Sequence, residues 1–400
     1  MWEHRSPTVC PLYYWRIKMD ELLDVRTIAY RKKIRAFSEH ELKPIAIKQD
    51  EKEEFPVDLA LKMGAAGLFG ITLPEEYGGQ GLDYLSYIIA IEEMARVDSS
   101  PAATVAAHNS LGISPIFQYG TEAQRLKFLP GLCTGKKLWA FGLTESNAGS
   151  DAKGVATEAK FENGEWVING AKLFITNSSS PIAAGITLQA ITDLKNGEKE
   201  LSVILVDRTT PGYSTEPIKG KLMWRAVDNG KLSFDNCLVP AENLLGKRGE
   251  GMKIMLSTLD AGRLSIAAMG LGLAQGAFEM AVNYAKKRKQ FGKTLAEFQA
   301  ISFKLAEMAT KIELARNTLY HACRLKDAGL PFAKQAAISK LYCSEIAKEV
   351  ADESLQIHGA YGFLRENHIE RFYRDQRLLQ IGEGTSEILK MVISRNILSQ

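Results

Sequence analysis

A chain of 400 residues, 46% hydrophobic and 24% charged, holds enough apolar material for two or three domains with a buried core, which excludes a disordered or fibrous protein. Its net charge of +3 offers no basic excess for nucleic acid or an anionic membrane surface, and no apolar run reaches the length expected to span a bilayer. The five cysteines, Cys10, Cys133, Cys237, Cys323 and Cys343, have no paired spacing. That argues against a disulfide frame or a zinc site and for free thiols in a reducing compartment.

Residues 1–18 carry Trp2, Tyr13, Tyr14, Trp15 and two prolines without periodicity and without the apolar core of a secretory signal. They read as an irregular extension. From 19 to 137 the pattern is helical: Leu22, Leu23, Val25, Ile28 and Ala29 recur at helix spacing. Further helices are predicted over 57–66, 84–96, 102–119 and 122–132. The stretch 67–81, with five glycines and Pro74, is a loop that fits either a connector or the wall of a ligand site. Residues 138–245 change texture. Period-two, β-branched runs at 166–168, 173–176, 186–191, 201–206 and 232–234 predict a β domain, with turns at Asn163-Gly164, Asn169-Gly170 and Asn229-Gly230. From 246 to 400 helices return as long pieces, 252–291, 295–328, 332–357 and 387–398, the pattern of an antiparallel bundle. The class is α+β, in the order helices, β domain, helices.

Several stretches could carry chemistry. Glu383 sits between Gly382 and Gly384, ahead of Thr385, Ser386 and Glu387, which read as a capped helix start. A carboxylate held there suits a base, although an ordinary loop acid has the same appearance. Residues 141–151 end a strand in small hydroxyl and amide residues able to offer N–H groups to a polar heterocycle or a phosphate, or simply to form a surface turn. Phe174, Ile175 and Thr176 end another strand. Arg263 lies among apolar neighbours beside Asp260, where a charge needs a partner. Arg288 closes a helix, as basic residues often do, and its planar guanidinium also suits phosphate. His358 has no second histidine at ligand spacing, so no metal site is expected.

These stretches, in this order, resemble the acyl-CoA dehydrogenase family. The resemblance runs from Met19 to Ser399 through Leu73-Pro74-Glu75-Glu76-Tyr77-Gly78-Gly79, Leu143-Thr144-Glu145, Gly149-Ser150-Asp151, Phe174-Ile175-Thr176-Asn177, Gly262-Arg263, Arg288 with Phe291-Gly292-Lys293, Gln299, Gln356-Ile357, Tyr373-Arg374-Asp375 and Glu383-Gly384-Thr385. It implies an N-terminal helical domain, a middle β-barrel or sandwich domain and a C-terminal four-helix bundle. It also implies FAD, an acyl-CoA substrate, electron-transferring flavoprotein as partner, and a homotetramer built as a dimer of dimers. By resemblance, Phe141, Leu143, Thr144, Ser150, Phe174, Ile175 and Thr176 line the flavin ring. Arg288 and Gln299, with Gln356, Ile357, His358, Gly359 and Ala360, hold the adenosine pyrophosphate, partly from a neighbouring subunit, and Gln290, Phe291 and Phe298 also bind the cofactor; the compartment implied is the cytoplasm of a bacterium or the mitochondrial matrix of a eukaryote. Thr385 and Glu387 add flavin contacts. Ser150, Asp260, Arg263 and Gly384 touch the acyl-CoA, and Glu383 matches the family's usual base.

The alternative base position of some members, on the long helix beside the arginine, is Gly262 here, and Asp260 lies about 200° around that helix from it. Gly262 leaves space that the resemblance links to short or branched acyl chains. The helix before Asn109-Ser110-Leu111 carries alanines and Thr104 but no arginine for a distal carboxylate. The chain departs from the family at Ser146, usually proline, and at His358 and Ala360. The same site could serve an acyl-CoA oxidase, an enoyl-CoA reductase, a non-redox acyl-CoA lyase or a non-catalytic acyl-CoA- and FAD-binding scaffold.

Overall fold

A computed structural model describes residues 23–399; the extension expected at 1–18 and the helix start expected at Met19 lie outside the described residues. The N-terminal domain is helical. It comprises α1 (Val25–Phe37), α2 (Ala46–Lys52), α3 (Val57–Ala65), α4 (Tyr84–Ala95), α5 (Ser99–Ala107), α6 (Ser114–Tyr119) and α7 (Glu122–Cys133). Asp24 and Asp83 cap α1 and α4 by accepting from Thr27 N–H at 2.9 Å and Ser86 N–H at 2.7 Å. Every residue of α4 is buried, so it runs through the interior and has no solvent-exposed face.

The helix expected over 102–119 is three pieces: α5, a π-helical turn over His108–Ile113, and α6. Two features break it. Pro115 has no N–H to donate to the carbonyl four residues back, and Gly112 packs so closely on the Trp139 carbonyl that a Cβ would lie 2.4 Å from it.

The middle domain is one mixed eight-stranded sheet. Its strands are β1 (Leu138–Gly142), β2 (Glu158–Glu162), β3 (Glu165–Thr176), β4 (Ala183–Lys195), β5 (Glu198–Asp207), β6 (Tyr213–Pro217), β7 (Asn229–Pro240) and β8 (Leu244–Leu245), in the order β6-β7-β3-β2-β4-β5-β8, with β1 parallel to β4. The two strands expected at 166–168 and 173–176 are the single strand β3. Asn169-Gly170 is a bulge rather than a turn: the register shifts there, and Gly170, at φ +148°, lies where a Cβ would be 2.7 Å from the Thr157 backbone. Asn229-Gly230 likewise opens β7, paired with Thr176 and Ile175. Alternation along β5 decides what the sheet meets. Ile204 and Val206 enter the β core, whereas Val203 and Leu205 pack with Ile254 and Met255 of the next helix.

That helix, α8 (Gly251–Lys287), is the spine of the C-terminal domain, joined by α9 (Gln299–Asp327), α10 (Ala333–His358), α11 (Ile369–Asp375) and α12 (Ser386–Leu398). The helix expected over 252–291 stops at Lys287. Arg288 turns extended, at φ −70° and ψ 127°, and Phe291 (φ 52°) and Gly292 (φ 79°) carry the chain through a short hairpin, β9 (Lys289–Gln290) with β10 (Lys293–Thr294). The helix expected from 295 begins at Gln299, behind a 3-10 turn capped by Thr294 and Glu297. Contrary to the sequence reading, α8 does contain a window long and apolar enough to cross a membrane, but 83% of it is buried in the protein, as befits a core helix. Ion pairs lock α4 into this bundle: Arg316 donates to Glu92 at 3.0 and 3.1 Å and to Gln275 at 2.8 Å.

Candidate active site

The turn before α12 is held in an unusual backbone state. Glu383 has φ 54° and Gly384 φ 101°, both left-handed, and only the second is free of a Cβ. Thr385 then caps α12, accepting from Ile388 N–H at 3.3 Å. The turn aims the Glu383 carboxylate at α8, where Gly262 leaves room: a Cβ there would lie 2.1 Å from Glu383 Oε2. Oε2 is buried, and neither it nor the Glu383 N–H has a hydrogen-bond partner among the described residues. Burial pushes the carboxyl up to about 7, against the opposing charges of Lys340 and Arg263.

The surroundings come from four elements. Arg263, on α8, spends one nitrogen on Asp260 Oδ1 at 2.6 Å and leaves Nε unpartnered. Lys340, on α10, is fully buried and donates to the Gly384 carbonyl at 2.6 Å. Tyr84, on α4, donates to the Ala261 carbonyl at 2.7 Å, and Leu111 of the π turn touches the Gly262 position.

The π turn also reaches the β domain. His108 Nδ1 accepts from Trp139 N–H of β1 at 3.2 Å, and Ser110 meets Ser265 of α8 at 3.4 Å. One short segment therefore connects the Glu383 pocket to the strand that leads into the 141–151 loop. In that loop Leu143 is buried, Phe141 and Thr144 are half-buried, and Ser150 is exposed. Glu145, beneath it, accepts from Lys172 Nζ at 2.8 Å, Ala156 N–H at 2.6 Å, and Thr157 N–H and hydroxyl at 3.1 and 2.7 Å. Burial alone would raise Glu145, but Lys172 and these donors hold it below the usual carboxylate range, while burial lowers Lys172 to about 8. Opposite the loop, Phe174 is 64% exposed at φ 61°, and Thr176 accepts from Asn229 at 2.9 Å. An open aromatic face beside hydroxyls and strand-end backbone fits a planar heterocycle. Ile175 points into the β core, which leaves only its backbone for a ligand.

The remaining candidates gather elsewhere. Arg288 lies over the Tyr361 ring at 5.5 Å, and Phe291, 93% exposed, meets Phe298 edge-on at 6.3 Å. Gln290, Gln299, Gln356, Gly359 and Ala360 are exposed. Ile357 is buried. His358 faces inward, stacked on Tyr284 at 4.4 Å and hydrogen-bonded to the Ser354 carbonyl at 2.7 Å, so it shapes the end of α10 and leaves the ligand face to its neighbours. Glu387, in the first turn of α12, is exposed and held low by its own N–H and Thr385. Arg288 follows Arg263 by 25 positions on one helix, about 37 Å.

Lys340, Tyr84, the Glu145–Lys172 pair and the π turn were not singled out as functional from the sequence. The lone lysine in the apolar run Ile338-Ser339-Lys340-Leu341 was the one visible cue.

The helix–sheet–helix order of three domains defines the class of protein. Sequence profiles of the acyl-CoA dehydrogenase N-terminal, middle and C-terminal domains match residues 26–136, 140–237 and 249–398. The chain belongs to the acyl-CoA dehydrogenase family of oxidoreductases. It is 43% identical over 367 residues to the short-chain specific acyl-CoA dehydrogenase of Clostridium acetobutylicum, covering 92% of this chain and 96% of that one. It is 41% identical over 371 residues to the caffeyl-CoA reductase-Etf complex subunit CarC of Acetobacterium woodii, covering 92% and 97%. The solved butyryl-CoA dehydrogenase of Megasphaera elsdenii superposes with a TM-score of 0.91 at 41% identity, covering 94% of this chain and 99% of that one.

Proposed function

We propose that the chain catalyses α,β-dehydrogenation of a short-chain or branched acyl-CoA to its trans-2-enoyl-CoA, with FAD as cofactor and Glu383 as the base. The observation that carries this is the buried Glu383 Oε2, aimed across Gly262 and without a hydrogen-bond partner among the described residues. A carboxylate near pH 7 in its titration is matched to removing a weakly acidic proton at neutral pH. Glu383 takes the α proton as the Cα–Cβ double bond forms. Its free N–H donates to the thioester oxygen, where negative charge develops. FAD, when bound, accepts the hydride that leaves Cβ. Phe141, Leu143, Thr144, Ser150, Phe174, the Ile175 backbone and Thr176 cradle the ring, and Asp260, Arg263, Ser150 and Gly384 line the thioester side. The separation of the Arg288–Gln299 and 356–360 cluster from Glu383 supports a site completed by a second copy, within a homotetramer. Electron-transferring flavoprotein is the proposed acceptor, in keeping with the Etf-complex relative.

That relative, a reductase subunit, also favours the reverse reading, in which protonated Glu383 returns the α proton to an enoyl-CoA. The test is anaerobic visible spectroscopy of the flavin-loaded protein with saturated acyl-CoA thioesters from four to sixteen carbons, isobutyryl- and isovaleryl-CoA included. Bleaching of the flavin band by a short or branched member supports dehydrogenation. Bleaching by none, with recolouring of dithionite-reduced protein by an enoyl-CoA, would favour the reductase.

A further inference from the structure

The proposed reaction assigns Glu383, but Lys340 is left without a role. It is the most confined cation near the site. It is fully buried in the first third of α10, between Ala336, Ala337, Cys343 and Ser344, all buried as well. An ammonium in such a place needs acceptors. Its hydrogen bond goes 44 residues along the chain to the Gly384 carbonyl, at 2.6 Å. Gly384 is the residue whose left-handed backbone completes the turn that presents Glu383, so the bond fastens α10 to the catalytic turn itself.

The charges facing Glu383 come from three helices. On α8 stands Arg263, much of whose charge is spent on Asp260. On α4 stand Tyr84 and Tyr87, both neutral because burial raises them far above neutrality. On α10 stand Lys340 and Glu345, and Glu345 is occupied by Gln380 at 2.8 Å and Ser386 at 2.6 Å. Glu387 follows the turn but is exposed to solvent. Lys340 is thus the buried positive charge near the base that no carboxylate holds by a hydrogen bond. Removing it must disfavour the ionised form of Glu383, because a neighbouring opposite charge lowers a carboxyl's pKa.

We propose that Lys340 is a positioning residue for proton transfer: it fastens the Glu383–Gly384 turn through the Gly384 carbonyl and supplies the positive charge against which Glu383 ionises. This rests on the reading of Glu383 as the base, and the experiment separates the two. In protein labelled with [δ-¹³C]glutamate, the Glu383 resonance is identified by its absence in Glu383→Gln, and its titration is followed in wild type, Lys340→Met, Lys340→Gln and Lys340→Arg, with Cys343→Ala as a packing control on the same helix. The expected midpoint rises by roughly one pH unit in Lys340→Met and Lys340→Gln and stays at the wild-type value in Lys340→Arg and the control. Flavin reduction by the best acyl-CoA at pH 7 then falls about fivefold in the first two variants, as the ionised fraction of the base drops, and recovers as pH is raised. An unchanged midpoint in Lys340→Met or Lys340→Gln overturns the proposal, and the glutamine variant decides if the methionine variant does not fold. If wild type is bleached by no thioester, the dehydrogenase reading fails while the resonance still reports on Lys340.

Discussion

Two glutamates in this chain, Glu145 buried and Glu383 half-buried with a buried carboxylate oxygen, each have a buried lysine at hand, and they behave in opposite ways. Glu145, in the β domain, accepts four hydrogen bonds and is held ionised. Glu383, in the bundle, has an oxygen with no donor and is pushed up to about 7. The lysines match closely: both are fully buried and both are lowered to about 8. The difference lies in where each ammonium points. Lys172 donates to the carboxylate itself; Lys340 donates to a carbonyl one residue beyond it. A saturated carboxylate is a structural strut, and a buried one left short of donors is ready to take a proton.

The comparison can be tested from both sides. Glu383→Gln should retain flavin and acyl-CoA binding yet slow flavin reduction by up to about 10⁴-fold in anaerobic stopped flow. Reduction at a near wild-type rate would place the base elsewhere. Glu145→Gln should do the reverse. It leaves Lys172 as a buried charge without its counter-ion, which costs about 3–5 kcal/mol of stability in denaturant unfolding, with the midpoint of the pH–rate profile unmoved. Gly262→Ala puts a methyl where Glu383 Oε2 lies, so reduction should fall by about 10²-fold while flavin stays bound. In wild type, the reduction rate should climb with pH through about 7, since the base acts deprotonated; a flat profile from pH 6 to 8 would contradict the reading. His108, between the two regions, gives the smallest effect. Burial lowers it to about 4, so the unfolded chain binds its proton more readily. Stability is therefore full above about 6.5 and lost as pH falls towards 4, by roughly 2 kcal/mol between 6.5 and 5, and His108→Asn should flatten that slope in thermal melts.

Much of the architecture was legible in the sequence because it is local. The Gly-Glu-Gly-Thr run announced its turn and cap, and the change from period 3.6 to period two marked the β domain. The errors arose where a distant neighbour overrides local pattern. Gly170 looks like a turn until Thr157 packs on it, and residues 102–119 look like one helix until Trp139 meets Gly112. The lysine that faces the catalytic turn was illegible for the same reason. Its acceptor lies 44 residues away, and a backbone carbonyl leaves no trace in composition.

The 37-residue helix α8 carries Arg263 about a third of the way along and leads into Arg288 at its C-terminal end. As a rigid ruler, it fixes both the spacing and the angular phase of the two clusters. One inserted residue between them would advance Arg288 by about 1.5 Å and swing it through about 100°. Length variation is therefore expected to collect in exposed turns such as that between β4 and β5, where it disturbs neither cluster, and to be absent from this rod.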